Sequence, residues 1–169
     1  IQKDKDLCLG SYCFLWGQKQ ESTSTWHGMY LSNGHPTDAV DVMEYCWSGN
    51  WPNQRAPSIM EIKLNGENWK KNHVFSQNEE VSLEYYYEKF NNDSLIFDFQ
   101  LYPETFSNKG GGDFQESPDE IPFKIIKKSE NNISFVVPNK KGFYRVFVFL
   151  KNNLNQSTVA NIPFRVDGI

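Results

Sequence analysis

Hydrophobic and polar positions divide this chain into two regimes that meet near Pro57. Leu7 to Trp16 is almost continuously apolar or small, the pattern of a strand covered on both faces, and Gly17 ends it. Gln18 to Thr25 is polar and reads as a loop. Trp26 to Leu31 is a short apolar piece closed by the turn Ser32-Asn33-Gly34. Thr37 to Trp47 carries the one strong helix pattern. Thr37 stands where an N-cap belongs, and Asp38 and Asp41 lie in the first turn, where the helix dipole favours them. Ala39, Met43, Cys46 and Trp47 share one face. Gly49 fits the stop, and Trp51-Pro52 with Ala56-Pro57 forms a linker with two proline breaks.

Beyond Pro57 the period becomes two. Ile59, Ile62 and Leu64 lead into the turn Asn65-Gly66. Val81, Leu83, Tyr85 and Tyr87 alternate with polar residues, and so do Leu95, Phe97, Phe99 and Leu101. Ile133 to Val137, Phe143 to Leu150 and Val159 to Val166 read as three more strands, separated by turns at Asn139–Gly142 and Asn152–Asn155. The stretch Asn108 to Asp113, around Gly110-Gly111-Gly112, reads as a flexible loop.

Short alternating strands with frequent turns predict a mainly β chain, built on an antiparallel β-sandwich of about a hundred residues. The expected division is residues 1–55, a strand-loop-helix unit with its linker, and residues 56–169, the sandwich. A lone β-α unit cannot stand by itself, because a parallel strand needs parallel neighbours. Residues 1–55 are therefore expected to be the end of a larger structural unit, docked on the sandwich through Trp47 and Trp51.

Composition narrows the possible partners. The net charge is -4, and no basic stripe interrupts it, which argues against nucleic acid. No apolar run is long enough to cross a bilayer. Cys8, Cys13 and Cys46 have no metal-ligand spacing and read as buried thiols or one bridge, so neither a metal nor a cofactor is expected. Three sequons, at Asn92, Asn132 and Asn155, are common by chance in an Asn-rich chain and fix no compartment. Aromatics make up 15% of the chain, and Tyr85-Tyr86-Tyr87 sets Tyr86 on the face opposite its neighbours. One set must point outward, as a glycan-binding row or as ordinary cross-strand packing.

Several phrases resemble a known arrangement. Gly10-Ser-Tyr-Cys-Phe-Leu-Trp-Gly-Gln-Lys-Gln-Glu21, Thr25-Trp-His-Gly-Met-Tyr30 and Ala39-Val-Asp-Val-Met43 resemble the last β-α unit of the (β/α)8 barrel in bacterial glycoside hydrolase-like proteins. In similar proteins a proline-bearing linker, here Trp51 to Pro57, leads to an immunoglobulin/PKD-like sandwich. Lys141-Gly-Phe-Tyr-Arg-Val-Phe-Val148 and Thr158 to Val166 look like its last two strands.

The resemblance implies an extracytoplasmic protein whose partners are a polysaccharide or oligosaccharide and an upstream barrel of the same polypeptide. It implies that the two catalytic carboxylates lie on earlier strands, so no catalytic residue is expected in this chain. It also places Trp16 as a sugar platform at a strand end, with Gln18, Gln20, Glu21 and Trp26 as further substrate contacts and His27 on the same rim. Lys19 falls in the same run. The plainer alternative is that Trp16 caps a hydrophobic core and that the polar residues after it are a solvated loop. The alternative function is a stand-alone carbohydrate-binding or adhesion-type sandwich with Tyr85, Tyr86 and Tyr87 as its surface.

Overall fold

The computed structural model describes residues 7–25, 28–92, 94–106 and 114–168. Its strands form two four-stranded sheets. In the first, β1 (Ser58–Leu64) lies beside β3 (Glu80–Glu88), then β6 (Asn132–Val136), then β5 (Ile125–Lys128). In the second, β2 (Val74–Ser76) lies beside β8 (Ser157–Asp167), then β7 (Gly142–Asn152), then β4 (Leu95–Pro103). All pairings are antiparallel except that of β2 with β8. The order matches A-B-E-D against C-F-G of an immunoglobulin-type sandwich, with β2 added beside the last strand.

The alternation seen in the sequence builds the interface between the sheets. Leu64, Leu83, Ile133 and Phe135 of one sheet are buried in the same cluster as Leu101, Val146, Val148 and Ile162 of the other. Asn65 and Gly66 take φ values of 48° and 80°, and Leu64 and Glu67 exchange both backbone hydrogen bonds, so the expected turn is a two-residue hairpin of the primed type. Near the start of β7, the Tyr144 phenol donates to the Lys140 carbonyl at 2.7 Å. This is the tyrosine corner of such sandwiches. Two residues on, where antibody domains place a disulfide cysteine, Val146 is fully buried, so apolar packing joins the sheets at that point.

The six strands expected from alternation are all present. The two unexpected ones, β2 and β5, are edges. β2 has three residues, and every residue of β5 is exposed, so neither carries an alternating signal.

The segment before the sandwich differs more. Residues 7–16 form no strand; Leu15 makes one isolated bridge, to Gly28. Leu7, Leu9, Tyr12 and Phe14 are 78–104% exposed. A run of this composition pairs only where strands flank it, and none does among the described residues. The backbone at Gly28 passes close to the end of the run. A Cβ there would lie 2.6 Å from the Gly17 carbonyl oxygen, so the crossing requires glycine.

The helix α1 (Asp38–Ser48) is as expected, and Gly49 ends it in the left-handed region at φ 78°. Two details depart from the sequence reading. The Thr37 hydroxyl makes no cap and donates instead to the Met29 carbonyl at 2.9 Å. The buried residue of the helix is Asp41, whereas Cys46 and Trp47 on the apolar face are exposed.

Trp47 therefore does not dock on the sandwich. It packs on Trp16, with ring centroids 5.8 Å apart. Trp51 stacks on Tyr45 at 4.5 Å, and the Arg55 guanidinium lies 3.9 Å from the Trp51 ring and 3.5 Å from that of Phe90, just past β3. The joint itself is polar. Asp41 accepts the buried Ala56 N–H at 2.7 Å, and Asp38 accepts the Ser58 hydroxyl at 2.7 Å. Helix and sandwich thus meet through two carboxylates.

Burial raises the Asp41 carboxyl above its usual range. The Ala56 N–H and the Arg55 charge oppose that rise; the Asp38 and Glu44 charges add to it. A raised folded-state value means that the stabilising contribution is complete below the ordinary value near 3.8 and is lost as pH climbs through the folded one. Asp41→Asn keeps an acceptor for Ala56 and removes the charge. It should be at least as stable as the parent chain at pH 7 and show a flatter midpoint-versus-pH curve above pH 4 in thermal denaturation. Asp41→Ala orphans a buried N–H and should cost about 1–3 kcal/mol. Tyr144→Phe should cost about 1 kcal/mol in urea unfolding through loss of the corner bond; an unchanged midpoint would show the bond to be idle.

Candidate functional site

The outer face of the second sheet is where loop and sandwich come together. Along β4, β7 and β8, alternate side chains point away from the core: Asp98, Gln100 and Tyr102, then Phe149, Phe147 and Arg145, then Asn161. Phe147 is only 2% exposed although it lies outside the sandwich core, because the segment before the helix covers it.

That cover is fixed at several points. The Ser157 N–H donates to the Pro36 carbonyl at 2.8 Å, the Ser22 N–H to Gln115 Oε1 at 2.7 Å, and the Thr105 hydroxyl to the Ser22 carbonyl at 3.0 Å. Met29 and Leu31, within the cover, are buried.

Between the cover and the sheet lies a cavity of about 230 Å³. Gln18 and Gln20 line it from the loop; Gln100, Tyr102, Glu104, Arg145 and Phe147 line it from the sheet. The Tyr102 phenol donates to Gln100 Oε1 at 2.9 Å, and Gln100 Nε2 donates to Asp98 at 2.7 Å. Burial, with the Glu120 and Asp98 charges, raises the Tyr102 phenol and keeps it a protonated donor. The ring stands edge-on to Phe147 at 5.6 Å.

Arg145 and Glu104 form a half-buried pair. Nε donates to Glu104 Oε1 at 2.8 Å and Nη2 lies 2.6 Å from the same oxygen, while Nη1 reaches Asn161. The pair cancels its own charge, so the wall is polar and close to neutral.

The sequence-predicted residues separate here. Gln18 and Gln20 come together in the cavity, with the Gln18 amide held by the Ser24 carbonyl. Gln20 is 7% exposed. Glu21 pairs with Lys19 and lies outside the cavity lining, and Trp16 packs with Tyr30 and Trp47 at 6.4 and 5.8 Å. Trp26 and His27 lie outside the described residues.

The tyrosine row also divides. Tyr85 is 1% exposed and belongs to the core, packed on Phe97 and Phe99, so it cannot form a glycan surface. Tyr87 is half-buried and packs edge-on to Phe97. Only Tyr86 faces outward, with Lys63 over its ring at 5.1 Å.

Tyr86 has companions that the sequence did not single out. It shares an open recess of about 500 Å³ with Met60 and Trp69. Trp69 also lines a second open groove of about 640 Å³, together with Phe106, Phe143, Lys71 and Arg165. Tyr86, Trp69, Phe143 and Phe106 are all exposed, and the last two meet edge-to-face at 5.4 Å. Trp69 sits in an irregular stretch, where no periodicity draws attention to it. Among the described residues, no group of three or more His, Cys, Asp or Glu is placed to hold a metal, and no helix is long and apolar enough to cross a membrane.

No family model matches the sequence, and no curated protein does. Among solved structures, the chain is similar to a nucleoside hydrolase-related hypothetical protein from Saccharophagus degradans that is associated with carbohydrate metabolism (16% identity, 69% of this chain and 26% of that one, TM-score 0.39). It is also similar to PcoC, a copper resistance protein from Escherichia coli (13% identity, 64% and 98%, TM-score 0.35), and to murine CRIg (8% identity, 67% and 98%, TM-score 0.36). The chain spans about a quarter of the length of the first. Likenesses this distant carry no functional argument.

The contacts at Ser22 predict how firmly the cover is held. Thr105→Val keeps the shape and removes the bond to the Ser22 carbonyl. Trypsin cleavage after Lys19 should then speed up several-fold, in line with about 1 kcal/mol of lost local stability. Equal rates would mean that the loop is held elsewhere.

Proposed function

We propose that the chain acts as a non-catalytic accessory part of an extracytoplasmic, carbohydrate-active protein, binding polysaccharide on the sandwich and packing residues 7–16 and α1 against a barrel of the same polypeptide. The observation that carries the carbohydrate reading is the row of four exposed aromatics, Tyr86, Trp69, Phe143 and Phe106, along two adjoining recesses that share Trp69. Flat aromatic faces pack against sugar C–H groups, and nearby Lys71, Arg165 and Glu61 supply partners for hydroxyls.

The packing reading is supported by a different feature. Leu7, Leu9, Tyr12 and Phe14 stand in solvent beside the exposed Trp16 and Trp47. Large apolar side chains exposed in this number are what an interaction site offers. The division into residues 1–55 and 56–169 follows from the same reading. A stand-alone sandwich module would use the same aromatic row but would leave residues 7–16 uncovered.

Affinity electrophoresis through a panel of soluble polysaccharides tests the first part. At least one should retard the chain, and Trp69→Ala should abolish most of the retardation, with Tyr86→Ala reducing it. Lack of retardation by every member of the panel would remove the carbohydrate reading. Hydrogen exchange tests the second part: amides of residues 7–16 should exchange within seconds in this chain and be protected in a longer polypeptide that carries the barrel. Equal exchange in both would refute the packing.

A further inference from the structure

We infer that the cavity between the 18–25 loop and the outer face of β4 and β7 is a binding site for one small uncharged polyol, of the size of a monosaccharide. It is distinct from the open aromatic row. Gln20 carries the inference. Its side chain is nine-tenths buried, it lines the cavity, and its Nε2 has no hydrogen-bond partner. A buried amide donor left unpaired costs free energy comparable to a lost hydrogen bond, so the site favours a ligand that brings an acceptor. Gln20 Oε1 accepts from the Ser117 hydroxyl at 3.5 Å, and Ser117 also lines the cavity.

The other walls select the class of ligand. The Tyr102 phenol is occupied as a donor to Gln100, and its oxygen still has accepting capacity for a ligand hydroxyl. Arg145 is committed to Glu104 and Asn161, so no free charge meets the ligand, and neither an anion nor a cation is favoured. Tyr102 and Phe149, both partly exposed, supply apolar surface for a ring face. A volume of about 230 Å³ matches a single ring. The lining comes from both the loop and the sheet, so occupancy ties residues 18–25 to the sandwich.

The test uses the whole chain with D-glucose, myo-inositol and glycerol as probes, followed by protein-observed NMR. At least one probe should give saturable shifts at the Gln20 side-chain amide and at residues 100–103. Gln20→Leu fills the same space without the donor. It should weaken that response about tenfold while holding or raising the thermal midpoint, since it removes an unpaired buried group. Trp69→Ala should leave the response unchanged, which separates failure of this site from failure of the aromatic row. Should Gln20→Leu not fold, crystals of the parent chain soaked in the probes decide the matter: ring-shaped density against Gln20 supports the site, and ordered water alone overturns it. Absence of saturable shifts with all three probes also overturns it.

Discussion

The constraint on which the molecule depends is that β7 is buried on both faces. Val146 and Val148 face the sandwich core, and Phe147 between them is equally inaccessible on the other side. A sandwich needs only one face of each sheet covered, and the opposite face can stay wet. Here the outer face bears Phe147, Phe149 and Tyr102, each too apolar to be left in water without loss of the roughly 1.5–3 kcal/mol that burial of such a side chain contributes. The segment before the helix covers them, and the cavity is where this cover fits incompletely. Loop placement, the fate of Gln18 and Gln20, and the position of α1 all follow from that demand.

Much of the fold was legible in the sequence because burial within a sandwich has a period of two. Every strand with one wet face announced itself through alternation, as Val81-Leu83-Tyr85 and Phe97-Phe99-Leu101 did. The strands that escaped are edges: β2 alternates but has only three residues, too few to show a period, and β5 is exposed throughout. The segment 7–16 misled for the converse reason. A continuous apolar run states that a surface must be covered, but it does not say by what. The same composition that suits an interior strand leaves Leu7, Leu9, Tyr12 and Phe14 largely exposed when, among the described residues, no strands flank it.

The candidate site was less legible. Gln18 and Gln20 were suggested by their position after an apolar run, and they do line one cavity. The groups they meet come from β4 and β7, some eighty to a hundred and thirty residues later in the sequence. Only the sheet register, Gln100 opposite Phe147 and Tyr102 opposite Arg145, brings these together. The tyrosine row shows the limit of local reading in another way. Alternation placed Tyr86 opposite Tyr85 and Tyr87 but gave no indication of which face was outside. That depended on the sandwich partner, and Trp69 entered the picture only through an irregular loop.

The linker between helix and sandwich looks, by composition, like a tether. In the structure Arg55 is gripped between Trp51 and Phe90, and its carbonyl accepts the Asn91 side chain, while Ala56 and Ser58 are bonded to the helix carboxylates. A chain held at so many points has no swing. A flexible linker sets the local concentration of what it joins by its length, whereas a clamped one sets a bearing. Whatever rests on Trp69 and Tyr86 is thereby presented at one fixed direction from whatever α1 faces, and a partner spanning both must match that angle, because the protein cannot turn to meet it.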